Sequence, residues 1–255
     1  MKNLILRLLV FLYIDKLPCI PKKLIIRINE LRDIFSSWRE MPGESKISLV
    51  KFDEYWNENR IKIALDDFEK QHNRDNLRFY AYIMMFAKEI DGYENILDFG
   101  AGTGNISHMM SKNFPGKNFA CYDAAYHIPR VYNAFSSSMT SSQIGYYSSL
   151  KDALKPGQLV YSNLVFSHLS GYQLENYLKI FRDNNSDLLV SANTLIDQNE
   201  NSLKTKIRFN NIGLFDHNYR RFISDAGYNI KWLYQMKDPS LEDKDVTILY
   251  ATLPD

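Results

Sequence analysis

The sequence predicts an α/β fold. We expect a doubly wound, seven-stranded, mostly parallel sheet with a helical extension in front of it. Three observations predict it. Short apolar runs alternate with helical patterns from residue 95 onward, the rhythm of parallel strands linked by crossover helices. The first run ends in an acid and a tight glycine loop, Asp98-Phe99-Gly100-Ala101-Gly102-Thr103-Gly104. The last two runs have a different rhythm, with only a short polar loop between them.

The elements follow in chain order. Leu4 to Ile14 is apolar apart from Arg7. It is shorter than the roughly 20 residues a bilayer span needs. No small-residue cleavage site follows it, only Asp15-Lys16-Leu17-Pro18, so it does not read as a signal peptide. Two readings stay open: a helix packed on the catalytic domain or a partner, and an interfacial helix on a membrane surface. Lys16, Lys22, Lys23 and Arg27 suit contact of residues 1–35 with anionic lipid. Cell fractionation after removal of residues 1–15 decides between the two. A second helical pattern runs from Lys22 to Trp38, with Leu24, Ile28, Leu31 and Phe35 on one stripe. Met41-Pro42-Gly43 breaks the pattern. Helices are expected again at Phe52–Lys70 and Leu77–Ile90. Residues 1–85 therefore read as a helical extension, and 86–255 as the sheet domain. Its strands are expected at Asn95–Phe99, Asn118–Tyr122, Ile144–Tyr147, Gln158–Ser162, Leu188–Ser191, Asn229–Tyr234 and Val246–Thr252. Between the first two lie a helix to about Asn113 and a Pro115-Gly116 turn. A helix from Tyr219 ends near Gly227.

The glycine loop carries the first chemistry. Glycines at every second position let a ligand lie against bare main chain. A dinucleotide fingerprint spaces its glycines G-x-G-x-x-G; here the spacing is G-x-G-x-G. An acid two residues before the first glycine would repel a pyrophosphate in a poorly solvated site. It suits a ligand with a positive end. Asp98 to Gly104 resembles the first motif of class I S-adenosylmethionine-dependent methyltransferases, D-x-G-x-G-x-G. The second strand, Phe119-Ala120-Cys121-Tyr122-Asp123, also ends in an acid, as it does in that family. The resemblance runs from about Tyr93 to Leu253 and implies the Rossmann-like methyltransferase fold with S-adenosylmethionine as cofactor. It further implies that Gly100, Ala101, Gly102 and Gly104 wrap the methionine part and that Asp98 holds its ammonium group. Asp123, with the adjoining Ala124, would take the ribose hydroxyls, since a carboxylate accepts two hydrogen bonds from a vicinal diol. The adenine position falls on Ser148 and Ser149, where relatives often carry an acid. Those serines read equally as a helix cap.

Composition narrows the remainder. The chain has 45% hydrophobic residues, 31 basic and 30 acidic residues and a formal charge of +1. That balance provides no long-range attraction to nucleic acid, and none is expected as a partner. Cys19 and Cys121 form neither a disulfide framework nor a zinc cluster, which fits a cytoplasmic setting, with a peripheral place on the inner membrane surface if residues 1–35 bind lipid.

The loop after the fourth strand, Ser162-Asn163-Leu164-Val165-Phe166-Ser167-His168, faces the methyl group in relatives. Asn163 joins the cofactor set. The aromatic-proline motif of adenine and glutamine N-methyltransferases is absent. Metal-dependent relatives place acids at the ends of strands four and five, where this chain has Ser162-Asn163 and Asn193-Thr194; a hard cation prefers carboxylates, so no metal is expected. His168 and His217 are the candidate bases, because imidazole titrates near neutrality. His168 reads equally as a packing residue. Asp216 or Asn218 beside His217 reads equally as a helix cap. Tyr55 and Trp56 suit either a cofactor lid or core packing. The expected activity is metal-independent O-methylation of a sugar or lipid-linked glycan precursor. A diffusible small metabolite as acceptor and a non-catalytic binding protein stand as alternatives.

Overall fold

The computed structural model describes residues 56–70, 80–81, 83–138, 141–194, 198, 205–207, 215–237 and 245–254. The expected helices at 4–14 and 22–38, the lipid-contact segment 1–35 and Tyr55 lie outside the described residues.

Helices α1 (Glu58–Lys70) and α2 (Ala87–Asp91) precede the first strand. Seven strands follow in one sheet, ordered β3-β2-β1-β4-β5-β9-β8. They are β1 (Asn95–Phe99), β2 (Asn118–Tyr122), β3 (Ile144–Tyr147), β4 (Leu159–Asn163), β5 (Asp187–Thr194), β8 (Asn229–Lys237) and β9 (Asp245–Thr252). The helices among them are α3 (Asn105–Asn113), α4 (Pro129–Ser137), α5 (Leu150–Ala153), α6 (Gly171–Asp183) and α7 (Tyr219–Asp225). β1 to β5 pair in parallel, and β9 runs antiparallel between β5 and β8. The order reverses at β1, where β2 leaves one side and β4 the other, and such a switch point opens a crevice at the carboxyl ends of the strands.

Burial on both faces explains the near-continuous apolar runs. Alternation sends Leu97, Phe99, Val160 and Val190 to one face, under Leu174, Leu178 and Phe181 of α6 and Phe222 of α7. Ile96, Leu159, Tyr161 and Leu189 go to the other, under Ile90 of α2 and Ile106 and Met110 of α3. A third cluster joins Ile61 of α1 to Cys121, Tyr126 and Val131 and Phe135 of α4. Trp56 packs edge-on against Phe135 with ring centroids 5.4 Å apart, which favours its packing role.

Several details depart from expectation: α1 begins at Glu58, after a turn at Trp56, and β8 runs past Tyr234 to Lys237. The Leu77–Ile90 helix is interrupted by a turn at Met85 and Phe86. That turn buries Phe86 while Met85 is left 54% exposed. β4 and β5 end later than expected, at Asn163 and Thr194, because Asn163 pairs with Ser191 of β5 and β9 supplies partners for β5 as far as Thr194. A short hairpin of β6 (Thr205–Ile207) and β7 (Phe215–His217) was not expected; three-residue strands carry too little periodicity to read.

Candidate active site at the carboxyl ends of β1, β2 and β4

The switch point sets the glycine loop between two acids. Gly100, Gly102 and Gly104 all take left-handed backbone, with φ of 81°, 54° and 78°. The reasons for glycine differ along the loop. A Cβ on Gly100 would run into the Val165 side chain, and one on Gly104 into the Tyr146 hydroxyl. Around Gly102 a Cβ would meet none of the described residues within 4 Å. Gly102 therefore presents bare main chain to open space, which is what a close-lying ligand requires.

The loop is tied down on its other sides. The N–H groups of Gly100 and Ala101 donate to the Tyr122 carbonyl at 2.7 and 3.0 Å, and Gly104 N–H donates to Ala101 O at 2.8 Å. The Tyr126 hydroxyl donates to Gly102 O at 2.6 Å. The Tyr146 hydroxyl donates to Thr103 O at 2.7 Å. Neither tyrosine was singled out in the sequence. Each supplies an apolar body to the core and a polar tip to the loop, and only their positions after β2 and in β3 hint at it.

Gly104→Ala should cost about 2–4 kcal/mol of stability from left-handed strain and overlap. Tyr146→Phe alone should cost about 1 kcal/mol. The double variant should be less destabilised than the sum, because the overlapping oxygen is gone. Urea unfolding of the three variants checks this; strict additivity would place the overlap elsewhere.

Asp98 is 3% exposed. Its position in β1 puts it on the face of Ile96, under α3, where Ser107 donates to Oδ2 at 2.7 Å. Burial pushes its carboxyl up to about 7, opposed by the Ser107 hydrogen bond and helped by the charge of Asp123. Asp123 sits just past β2. Its Oδ2 accepts from Gly102 N–H at 3.0 Å and its Oδ1 from Ala125 N–H at 2.8 Å. Burial raises it also, while these two backbone bonds pull the other way. Each carboxylate oxygen retains a second lone pair, so the vicinal-diol role stays chemically open. Ala124 begins the 3-10 turn Ala124–His127 that Asp123 caps.

Polar side chains gather beside Asp98. Tyr161 of β4 lies opposite it in register. Two residues on, Asn163 shares the face and pairs with Ser191 of β5. Among the described residues, Tyr161 Oη, Asn163 Oδ1 and Ser191 Oγ are buried without a hydrogen-bond partner, as is Asn105 Oδ1 at the start of α3. Orphaned buried polar groups are expensive, and of these four residues the half-buried Asn163, at the end of β4, is the one accessible enough to meet a polar ligand group. Leu164 follows with φ of 62°, its N–H bound to Ser191 O at 2.7 Å. A left-handed leucine is rare and strained, a feature that clusters at functional sites.

The other candidates are more scattered. Ser148 is exposed and Ser149 half-buried at the end of β3. Ser149 stands at the N-cap of α5 without a side-chain capping bond. His168 is exposed in the 3-10 turn Phe166–His168 after β4. His217 is fully buried, flanked by Phe215, Tyr219 and Phe222. Its Nε2 lies 2.8 Å from the Leu169 carbonyl, so in that pairing Nε2 carries the hydrogen. Asn218 is the cap of α7, accepting from Arg221 N–H at 3.0 Å. Among the described residues no group of three or more His, Cys, Asp or Glu is placed to hold a metal ion.

Solved structures share this arrangement. Human N-acetylserotonin methyltransferase, solved in complex with S-adenosylmethionine, superposes with a TM-score of 0.56 at 15% identity, over 89% of this chain and 67% of that one. A glycopeptide N-methyltransferase superposes at 0.51 and 13% identity, over 67% and 94%. Magnesium protoporphyrin IX methyltransferase from Synechocystis, with S-adenosylhomocysteine bound, superposes at 0.50 and 14% identity, over 91% and 100%. This is the class I methyltransferase fold. No protein-family model matches the chain, and no curated protein matches it by sequence. The fold sets Asp98, the glycine loop, Asp123 and Asn163 at the carboxyl ends of β1, β2 and β4. It leaves His217 buried beneath the 3-10 turn that carries His168.

Proposed function

We propose that the chain is an S-adenosylmethionine-dependent methyltransferase acting without a metal on a hydroxyl acceptor. The open left-handed Gly102 between the buried Asp98 and the half-buried Asp123 carries this reading. Asp98, Asn163 and the loop backbone suit the amino-acid end of the cofactor, and Asp123 suits its ribose. The neighbours with the same fold include enzymes named as O- or N-methyltransferases of unlike acceptors, so the fold supports the cofactor more than the acceptor.

The cofactor supplies an electrophilic methyl on a positively charged sulfur. An acceptor oxygen forms the new C–O bond as the C–S bond breaks, and its proton departs to a base or water. Because charge disperses, the protein's task is chiefly alignment. His168, exposed in the turn after β4, is the base best placed to meet an acceptor arriving from solvent. A sugar or lipid-linked glycan precursor is the proposed acceptor class, on the strength of the apolar, basic segment 1–35; a diffusible metabolite is the runner-up.

Calorimetric titration tests the cofactor. S-adenosylmethionine and S-adenosylhomocysteine should bind in the micromolar range, and NADH should not. Binding of NADH alone would overturn the reading. Transfer of labelled methyl to a panel of hydroxylated acceptors, with His168→Gln beside the wild type, then separates the acceptor classes.

A further inference from the structure

The Ser107 hydroxyl is fully buried in α3 and spends its hydrogen on Asp98 Oδ2. We propose that Ser107 is a positioning residue for the cofactor's ammonium group: it holds Asp98 and sets the pH below which cofactor binding must expel a proton. This inference rests on the reading of the site as a cofactor site.

The surroundings of Asp98 are the reason. Cys121 of β2, Tyr161 of β4, Tyr146 of β3, Tyr126 of the 3-10 turn and Asp123 all interact electrostatically with it or its near neighbours. Among the described residues none of these facing groups carries positive charge. Burial drives the Cys121, Tyr126 and Tyr161 groups upward, so they are neutral near pH 7. A lone carboxylate in such a setting prefers its neutral form, and burial does push Asp98 up to about 7. A bound ammonium reverses the preference, because an opposite charge within about 4–6 Å favours the ionised acid. Association at acidic pH therefore releases the Asp98 proton to solvent. Ser107 opposes burial by donating to the ionised form. The Ser107 backbone also hydrogen-bonds to the ionised carboxyl, and the Ser107→Ala variant keeps that bond while losing the hydroxyl's.

The consequence is a limb in the affinity profile. Below the Asp98 midpoint, affinity for S-adenosylmethionine should fall about tenfold per pH unit. Above roughly pH 8 it should fall again as the cofactor's own α-amino group loses its proton. At pH 6, titrations in buffers of different ionisation enthalpy should give close to one proton released per cofactor bound. Ser107→Ala should move the acid limb upward by about one pH unit and leave the alkaline limb in place. Ser107→Thr, which keeps the hydroxyl, should restore the wild-type limb. Circular dichroism melts at each pH establish that the protein being titrated is folded. Flat wild-type affinity from pH 5.5 to 7 with no proton release would overturn the coupling even if the cofactor binds. An unmoved limb in folded Ser107→Ala would remove Ser107 from the role. Failure of the wild type to bind at any pH would instead overturn the cofactor reading together with this one.

Discussion

Gly102→Val should abolish S-adenosylmethionine binding, by more than a hundredfold, in a chain that still folds. The open space around Gly102 is the reason for both halves of that expectation. No atom of the described residues lies within 4 Å of the Cβ position, so the valine displaces none of them in the free protein. Its branched side chain fills the volume where a ligand would meet the main chain. The left-handed backbone, with φ of 54°, adds about 1–2 kcal/mol of strain. For a chain of this size that lowers Tm by roughly 2–8 °C. Calorimetry and a thermal melt read the two effects separately. Unchanged affinity would mean that the ligand does not lie against Gly102. Gly100 and Gly104 are poor places for this test, since substitution there collides with Val165 or Tyr146 and confuses binding with folding.

Asp98→Asn should raise the stability of the free protein at pH 8 while weakening cofactor binding tenfold to a hundredfold. The sign follows from burial. Asp98 is raised from 3.8 to about 7 in the folded chain. The unfolded chain therefore gives up this proton first as pH rises. The contribution of Asp98 to stability is full below pH 4, declines through the window from about 4 to 7, and is an unfavourable constant above it. A rise of that size limits the cost of holding the charge to roughly 4 kcal/mol. Asparagine keeps an oxygen for the Ser107 hydroxyl and carries no charge, so part of that penalty should be recovered, about 1–3 kcal/mol. The affinity loss reflects a charge-assisted hydrogen bond of about 1.5–3 kcal/mol. Urea denaturation at pH 5 and pH 8 checks the first claim. A variant less stable than wild type at pH 8 would show that Asp98 is not held at a cost.

The two expectations share a cause that the local sequence shows only in part. Asp98, Gly100, Gly102 and Gly104 stand within one short motif, so their place in a single loop was legible from the sequence. Asp123 was legible because it ends the next parallel strand, and β1 and β2 fell where expected, residue for residue. Ser107, Tyr126 and Tyr146 were not legible. A serine in a helix and tyrosines beside a strand are ordinary, and only the crossing of α3, β2 and β3 aims their hydroxyls at Asp98 Oδ2 and the carbonyls of Gly102 and Thr103. Leu164 was equally silent, since no residue type announces a left-handed leucine.

The sequence by itself determined the layer architecture, the strand rhythm and the loop with its flanking acids. Each of these depends on periodicity or on neighbours a few residues away, where residue type alone constrains the backbone. Tertiary structure decided what those residues experience. It buried Asp98 among groups without positive charge, closed Asp123 onto the glycine loop, and left Gly102 facing open space. It also enclosed His217 under Leu169 while exposing His168. Charge state, accessibility and open volume depend on segments brought together from opposite ends of the sheet domain. The desolvation that sets them exists only once the two faces of the sheet are covered.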